Sequence, residues 1–189
     1  MTRASGTGVG GHAYGAVNLL FQRDSTVPWA MHSTTEQTVI GPIECLAGTR
    51  FMMTGDVIVS ALGRLKVANN TKVHEVRLML EELEGQTYTY TTIASIPIRM
   101  YPGTANGAYV YRDLATPVRL LSGKTYVLVS REFYNVGENY CDKYSMEDSL
   151  GSEFDEAAAF WVEWTSNGVG DRHVEDDEKC YAGVNLKYY

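Results

Sequence analysis

Short runs of β-branched and aromatic residues recur along the chain, separated by Gly, Asn, Thr and Pro at intervals of roughly 8 to 12 residues, the rhythm of an all-β sandwich or barrel. The runs predict strands over residues 14–21, 49–54, 57–67, 73–80, 87–95, 108–112, 118–121, 125–133, 158–164 and 181–188. In 57–67, Val57, Val59, Ala61, Leu65 and Val67 share one parity, and Arg64 and Lys66 fall on the other, solvent-facing one. In 73–80, Val76, Leu78 and Leu80 share a face with His74, while Glu75 and Arg77 point away. A period of two places one face on a core and the other in water. Residues 125–133 are apolar on both faces near their start, as a strand with neighbours on both sides should be.

Turn chemistry fits these boundaries. Asn69-Asn70 lies between two alternating runs and predicts a tight hairpin, because Asn tolerates the left-handed backbone. Glu84-Gly85, the stretch from Gly103 to Gly107, and Ser122-Gly123 mark further reversals. One helical turn is expected over 154–159, before the strand that holds Phe160. The fold class is therefore an antiparallel two-sheet β-sandwich, jelly-roll-like, with residues 14–189 as a single domain and 1–13 as a flexible Gly/Ser-rich arm. The arm contains a literal G-x-G-x-x-G at Gly6, Gly8 and Gly11, but that fingerprint holds phosphate only between a strand and a helix.

The two ends of the domain echo each other, YGAVNL from Tyr14 and YAGVNL from Tyr181. Both segments suit equivalent sheet positions. Tyr14, Val17 and Leu19, with Tyr181, Val184 and Leu186, are thus candidates for self-association by strand addition between copies.

Charge narrows the partners. The chain has 23 acidic and 16 basic side chains, a net charge of −7, which argues against a nucleic-acid backbone as partner. Its apolar runs are too short for membrane insertion, and no signal peptide is visible at the start. The segment from Asp142 to Glu178 holds 12 acidic and 2 basic residues. Crowding of this kind is relieved by solvent or by a divalent cation. For calcium, the ligands would come from Asp171, Glu175, Asp176 and Asp177, although no EF-hand spacing occurs. No cofactor is otherwise indicated. Cys45, Cys141 and Cys180 lack zinc-site spacing, and a bridge, if formed, would join Cys141 to Cys180. His12, His32 and His173 are scattered, and His74 reads as a hydrogen-bonded core residue. No nucleophile elbow or Cys–His pair appears, so the chain reads as a non-enzyme.

Binding chemistry concentrates in one loop. Tyr134, Tyr140 and Tyr144 alternate with Asn135, Glu138, Asn139 and Asp142. Flat aromatic platforms beside short polar groups suit the C–H faces and hydroxyls of a sugar, or else the tyrosines cap the sandwich edge. Tyr88, Tyr90 and Thr92 form an outward stripe that suits cross-strand packing.

Several motifs in order carry a family resemblance. Val59-Ser60-Ala61-Leu62-Gly63-Arg64 supplies a V-x-A-L-G-R strand, and Asn69-Asn70 then precede a His74-Glu75-Val76-Arg77-Leu78 strand. Tyr109-Val110-Tyr111, the run from Leu114 to Tyr126, and Tyr126-Val127-Leu128-Val129-Ser130-Arg131-Glu132 follow, with a closing Y-x-x-V-x-x-K-Y from Tyr181 to Tyr188. Over residues 40–189 the chain resembles a bacterial jelly-roll-like β-sandwich domain family of unknown function, repeated in surface and secreted proteins and set beside glycoside hydrolases. It departs at Glu138, Tyr140 and Cys141, where the family's loop has Asp, Trp and Tyr. The resemblance implies a structural module or a carbohydrate-binding one, without catalysis. The expectation for the intact chain is a non-catalytic assembly protein of an extracellular filament, virion fibre or decoration layer, on an extracellular surface or a virion. A glycan-binding module is the alternative.

Overall fold

The computed structural model describes residues 27–28, 32–33, 45–66, 70–100, 109–133, 143–146, 153–165, 168–175, 179–181 and 183–189. They form strands β1 (Val27–Pro28), β2 (His32–Ser33), β3 (Cys45–Met53), β4 (Val57–Leu65), β5 (Val73–Glu84), β6 (Thr87–Arg99) and β7 (Tyr109–Leu120). β8 (Thr125–Glu132), β9 (Lys143–Met146), β10 (Phe154–Thr165), β11 (Gly168–Glu175), β12 (Lys179–Tyr181) and β13 (Val184–Tyr188) follow.

The pairing is nested. Gly85, at φ 66°, opens a tight turn that closes β5 on β6 from Glu84 opposite Thr87. Around that hairpin β4 pairs with β7, β3 with β8 and β2 with β9, all antiparallel. The chain is thus a double-stranded ribbon folded at β5–β6, and rolling the ribbon sends its successive pairs to alternate layers. One layer has the order β1-β13-β4-β7 and the other β11-β10-β3-β8-β5-β6, with a small third sheet β12-β9-β2. This is the jelly-roll-like antiparallel sandwich that the alternation predicts. β10 and β11, which carry much of the acidic segment, extend the six-stranded layer beyond β3.

Phe51, Leu62, Leu78, Ile98, Leu128 and Leu186 fill the space between the layers, each at 0 % exposure. Burying one such side chain stabilises by about 1.5–3 kcal/mol. The six-stranded sheet has a second apolar cluster, of Leu46, Met79, Val127, Val129, Phe160 and Val162. β8 contributes to both, Tyr126 and Leu128 to one cluster and Val127 and Val129 to the other, which is the two-sided strand its sequence predicts.

Four local expectations are corrected. Residues 154–159 are the start of β10, not a helical turn, because pairing with β3 (Phe154 opposite Met53, Ala159 opposite Thr49) overrides the helical leaning of the alanines. Asn69-Asn70 do not form a hairpin: β4 and β5 belong to different layers, and Asn70 is wholly buried at the crossing. The runs 108–112 and 118–121 belong to one strand, β7, whose register on β4 jumps between Val118 opposite Val59 and Asp113 opposite Ala61. Pro117 sits in that irregularity, where it removes a ladder donor at little cost. The same jump reverses the alternation of β4, so Leu62 joins Val57 and Val59 in the core and Arg64 turns inward instead of to solvent.

Gly48 marks the closest backbone approach. A Cβ there would lie 1.9 Å from the Leu128 carbonyl oxygen of the neighbouring strand. Backbone cannot rotate away as a side chain can, so Gly48→Ala is expected to destabilise the fold by about 3 kcal/mol or more, at or beyond the upper end of ordinary overpacking. Thermal and urea unfolding of the variant measure this directly.

Candidate functional site

A charged cluster lies at one end of the sandwich. Arg64 reaches from β4 across the core to Glu132 at the end of β8, donating from Nε to Oε1 at 3.0 Å and from Nη2 to Oε2 at 2.6 Å. Its Nη1 donates to the Leu65 carbonyl at 3.1 Å. His74 of β5 adds its Nδ1, 3.0 Å from the Arg131 carbonyl oxygen and 3.4 Å from Glu132 Oε1. A carbonyl oxygen only accepts, so Nδ1 carries the proton. The Phe133 ring meets the imidazole edge-on at 5.5 Å, and Lys72 lies over that ring. His74 is therefore the hydrogen-bonded core histidine that its parity predicts.

These three side chains are at most 1 % exposed, so no reactant touches them. The cluster ties the two layers together. Burial pushes the Glu132 carboxyl up, but the charges of Arg64 and His74 and their hydrogen bonds outweigh it and hold the group at about 2. The sequence reading missed Arg64 and Glu132 as a pair, since 68 positions separate them. Charged residues near the ends of two otherwise apolar runs, Arg64 in 57–67 and Glu132 in 125–133, were the available signal.

On the other face of the six-stranded sheet, Glu81 accepts from Arg50 Nε at 2.8 Å and from the Tyr90 hydroxyl at 3.1 Å. Tyr90 packs on Phe160 at 5.6 Å, so this part of the outward stripe does serve packing. Beyond it the β5–β6 hairpin overhangs β8, whose pairing with β5 ends at Glu81 opposite Thr125. Leu83 and Tyr88 face each other on the overhang at 58 % and 40 % exposure.

The outermost strands differ sharply. β1 has two residues, one of them Pro28; β7 carries Arg112, Asp113, Arg119 and Pro117; β11 carries Asp171, Arg172 and Glu175. Charge, proline and brevity all discourage pairing with another chain. β6 is thirteen residues long and has no charged side chain over 87–98. Pro97 and a register shift opposite Leu78/Met79 guard its far half, and 87–92 have neither. Where β6 ends and β7 begins, Arg99, Val110, Tyr111 and Arg112 line a cavity of about 380 Å³.

The residues singled out from sequence fall as follows. Tyr134, Asn135, Glu138, Asn139, Tyr140 and Asp142 lie outside the described residues, as do Cys141, Tyr14, Val17 and Leu19. Tyr144 is in β9, its backbone opposite Cys180 of β12, and Tyr181 pairs with Lys143. Asp171 and Glu175 are in β11, and Asp176 and Asp177 lie outside the described set. Among the described residues no group of three or more His, Cys, Asp or Glu is placed to hold a metal. Val184 and Leu186 point into the core, and β13 runs between β1 and β4.

No family model matches the chain, and comparison with curated proteins and with solved structures likewise gives no match.

Because Glu132 is held below its ordinary value of 4.5, its ionisation favours the folded state above that pH, and the contribution is lost as pH falls toward about 2. Glu132→Gln leaves Arg64 buried without its counter-charge and is expected to cost about 3–5 kcal/mol at neutral pH. Urea titrations of both proteins should show that gap undiminished above pH 4.5 and shrinking below it.

Proposed function

We propose that the chain is a non-catalytic assembly subunit of an extracellular filament, virion fibre or decoration layer, in which β6 of one copy accepts a strand from another. The observation that carries this reading is the contrast among the outermost strands: β6 alone of β1, β6, β7 and β11 presents a long stretch, 87–92, without charge, proline or bulge. Thr and Tyr make up all of it, residues that pair well in sheets. Addition to a sheet edge gives affinity through main-chain hydrogen bonds and specificity through alternate side chains. The exposed Leu83–Tyr88 pair next to the strand supplies apolar area.

The accepting strand is β6 and not β13. Drawing out β13 would empty the core of Val184 and Leu186, and the Leu186 N–H is already taken by the Asn185 side chain at 2.8 Å. The N-terminal echo, Tyr14 to Leu19, is the candidate donor. The sugar-binding reading rests on the loop from Tyr134 to Tyr144, of whose named residues Tyr144 alone is among the described ones, and has no comparable support.

Sedimentation velocity tests the proposal. Thr91 and Thr92 are exposed, so Thr91→Lys with Thr92→Lys should change folding by less than about 0.5 kcal/mol per site. The wild-type chain is expected to form defined multimers, and the doubly substituted chain to sediment as a monomer with an unchanged melting temperature. Multimers that survive the substitution would overturn the β6 interface, and a monomeric wild type would overturn the assembly reading itself. Removing residues 1–22 identifies the donor: loss of the multimer assigns it to the N-terminal segment, and retention assigns β6-to-β6 pairing.

A further inference from the structure

We infer that the cavity where β6 gives way to β7 is an anion site, taking the carboxylate, sulfate or phosphate group of a small acidic ligand such as an acidic sugar. The chain carries more acidic than basic side chains, so its arginines have carboxylates to choose from. Arg50 pairs with Glu81, Arg64 with Glu132, Arg77 with Glu75 and Arg119 with Asp56. Among the described residues, Arg99 and Arg112 form no ion pair, and both line this one cavity. Two guanidiniums without a carboxylate partner at one cavity make a local positive field that favours an anion, and the planar fork of each matches the oxygens of such a group.

The rest of the wall suits the same ligand. Arg112 is held in place by donating from Nη1 to the Pro97 carbonyl at 3.0 Å, which leaves its other N–H groups for a ligand. The Tyr111 ring covers Gly63, where a Cβ would come within 2.5 Å of it, and Lys187 Nζ sits 4.6 Å from the ring centroid. Lys187 thus brings a third positive charge next to a wall residue. The Tyr111 hydroxyl is buried and has no hydrogen-bond partner among the described residues. Burial pushes its pKa well up, so the phenol keeps its proton and can only gain by donating to an acceptor. Val110 gives an apolar surface for the body of the ligand, and about 380 Å³ is within the range of small-molecule sites.

Isothermal titration of the full chain with glucuronate, inorganic sulfate, inorganic phosphate and neutral glucose tests the site. Glucuronate should bind and glucose should not, binding should weaken as salt is raised, and Arg99→Gln or Arg112→Gln should each weaken it by about tenfold or more. Sulfate or phosphate binding as tightly as glucuronate, with the same dependence on both arginines, would support the site and identify a free oxyanion as its ligand. Absence of binding by all three anions, or binding that persists in the doubly substituted chain, would overturn it. Arg99 is exposed and makes no bond whose loss would unfold the strand, so Arg99→Gln keeps the test valid if Arg112→Gln is unstable. Both variants should keep the wild-type sedimentation profile, which separates this result from the β6 interface.

Discussion

The two-pronged contact between Arg64 and Glu132 is the constraint on which the arrangement of the layers depends. Apolar side chains between two sheets attract without direction and tolerate sliding. A bidentate guanidinium–carboxylate pair does not, since both N–H···O bonds fail if either strand moves by a fraction of a residue spacing. Such a pair stabilises little compared with apolar residues of the same shape, because both ions are taken from water. Its effect is positional: it fixes β4 of one layer against β8 of the other, with His74 of β5 as a third point. At the other end, Asp56 accepts from Arg119 at 2.6 Å and from the Ser122 N–H at 2.7 Å, and the Ser122 hydroxyl donates to the Thr54 carbonyl. That joins the β3–β4 connection to the β7–β8 connection with exposed groups, so the sandwich is pinned by a dry clamp at one end and a wet one at the other.

How far the sequence could be read follows from the range of each interaction. Period-two alternation is a property of neighbours, and β8 was legible in it almost to both boundaries, while β5 and β6 start where expected and run four residues further. The two-sided character of β8 was legible for the same reason. A turn signal says that the chain reverses without saying into which sheet, which is why Asn69-Asn70 was read as a hairpin although β4 and β5 lie in different layers. The alanines before Phe160 lean toward helix only in isolation, and β3 supplies a ladder that outweighs the preference. Arg64 was placed in solvent because alternation was extended through a register jump whose cause is on another strand, β7. The pairing of Arg99 with Arg112 at one cavity was illegible for a similar reason: it exists only where β6 and β7, of different sheets, come together.

Burial on both sides of the six-stranded sheet limits where this molecule can meet anything else. In a two-layer sandwich the outer face of a sheet is ordinarily polar and available. Here Leu46, Val127, Val129, Phe160 and Val162 are buried on that face, and Glu81 is closed off by Arg50 and Tyr90. The opposite layer is similar, with Ala61, Leu65 and Asn185 on its outer side all at 3 % exposure or less. These parts of both faces are therefore closed, and the open backbone edges among the described strands lie on the rim. Along the rim the charged and proline-bearing strands are defended against pairing, while β6, the overhanging Leu83–Tyr88 pair and the two arginines at its end are not. The proposed strand pairing and the proposed anion site thus fall on one side of the sandwich for one reason: rolling a ribbon about the β5–β6 hairpin leaves β6 and β7 as the last strands of their sheets among the described residues.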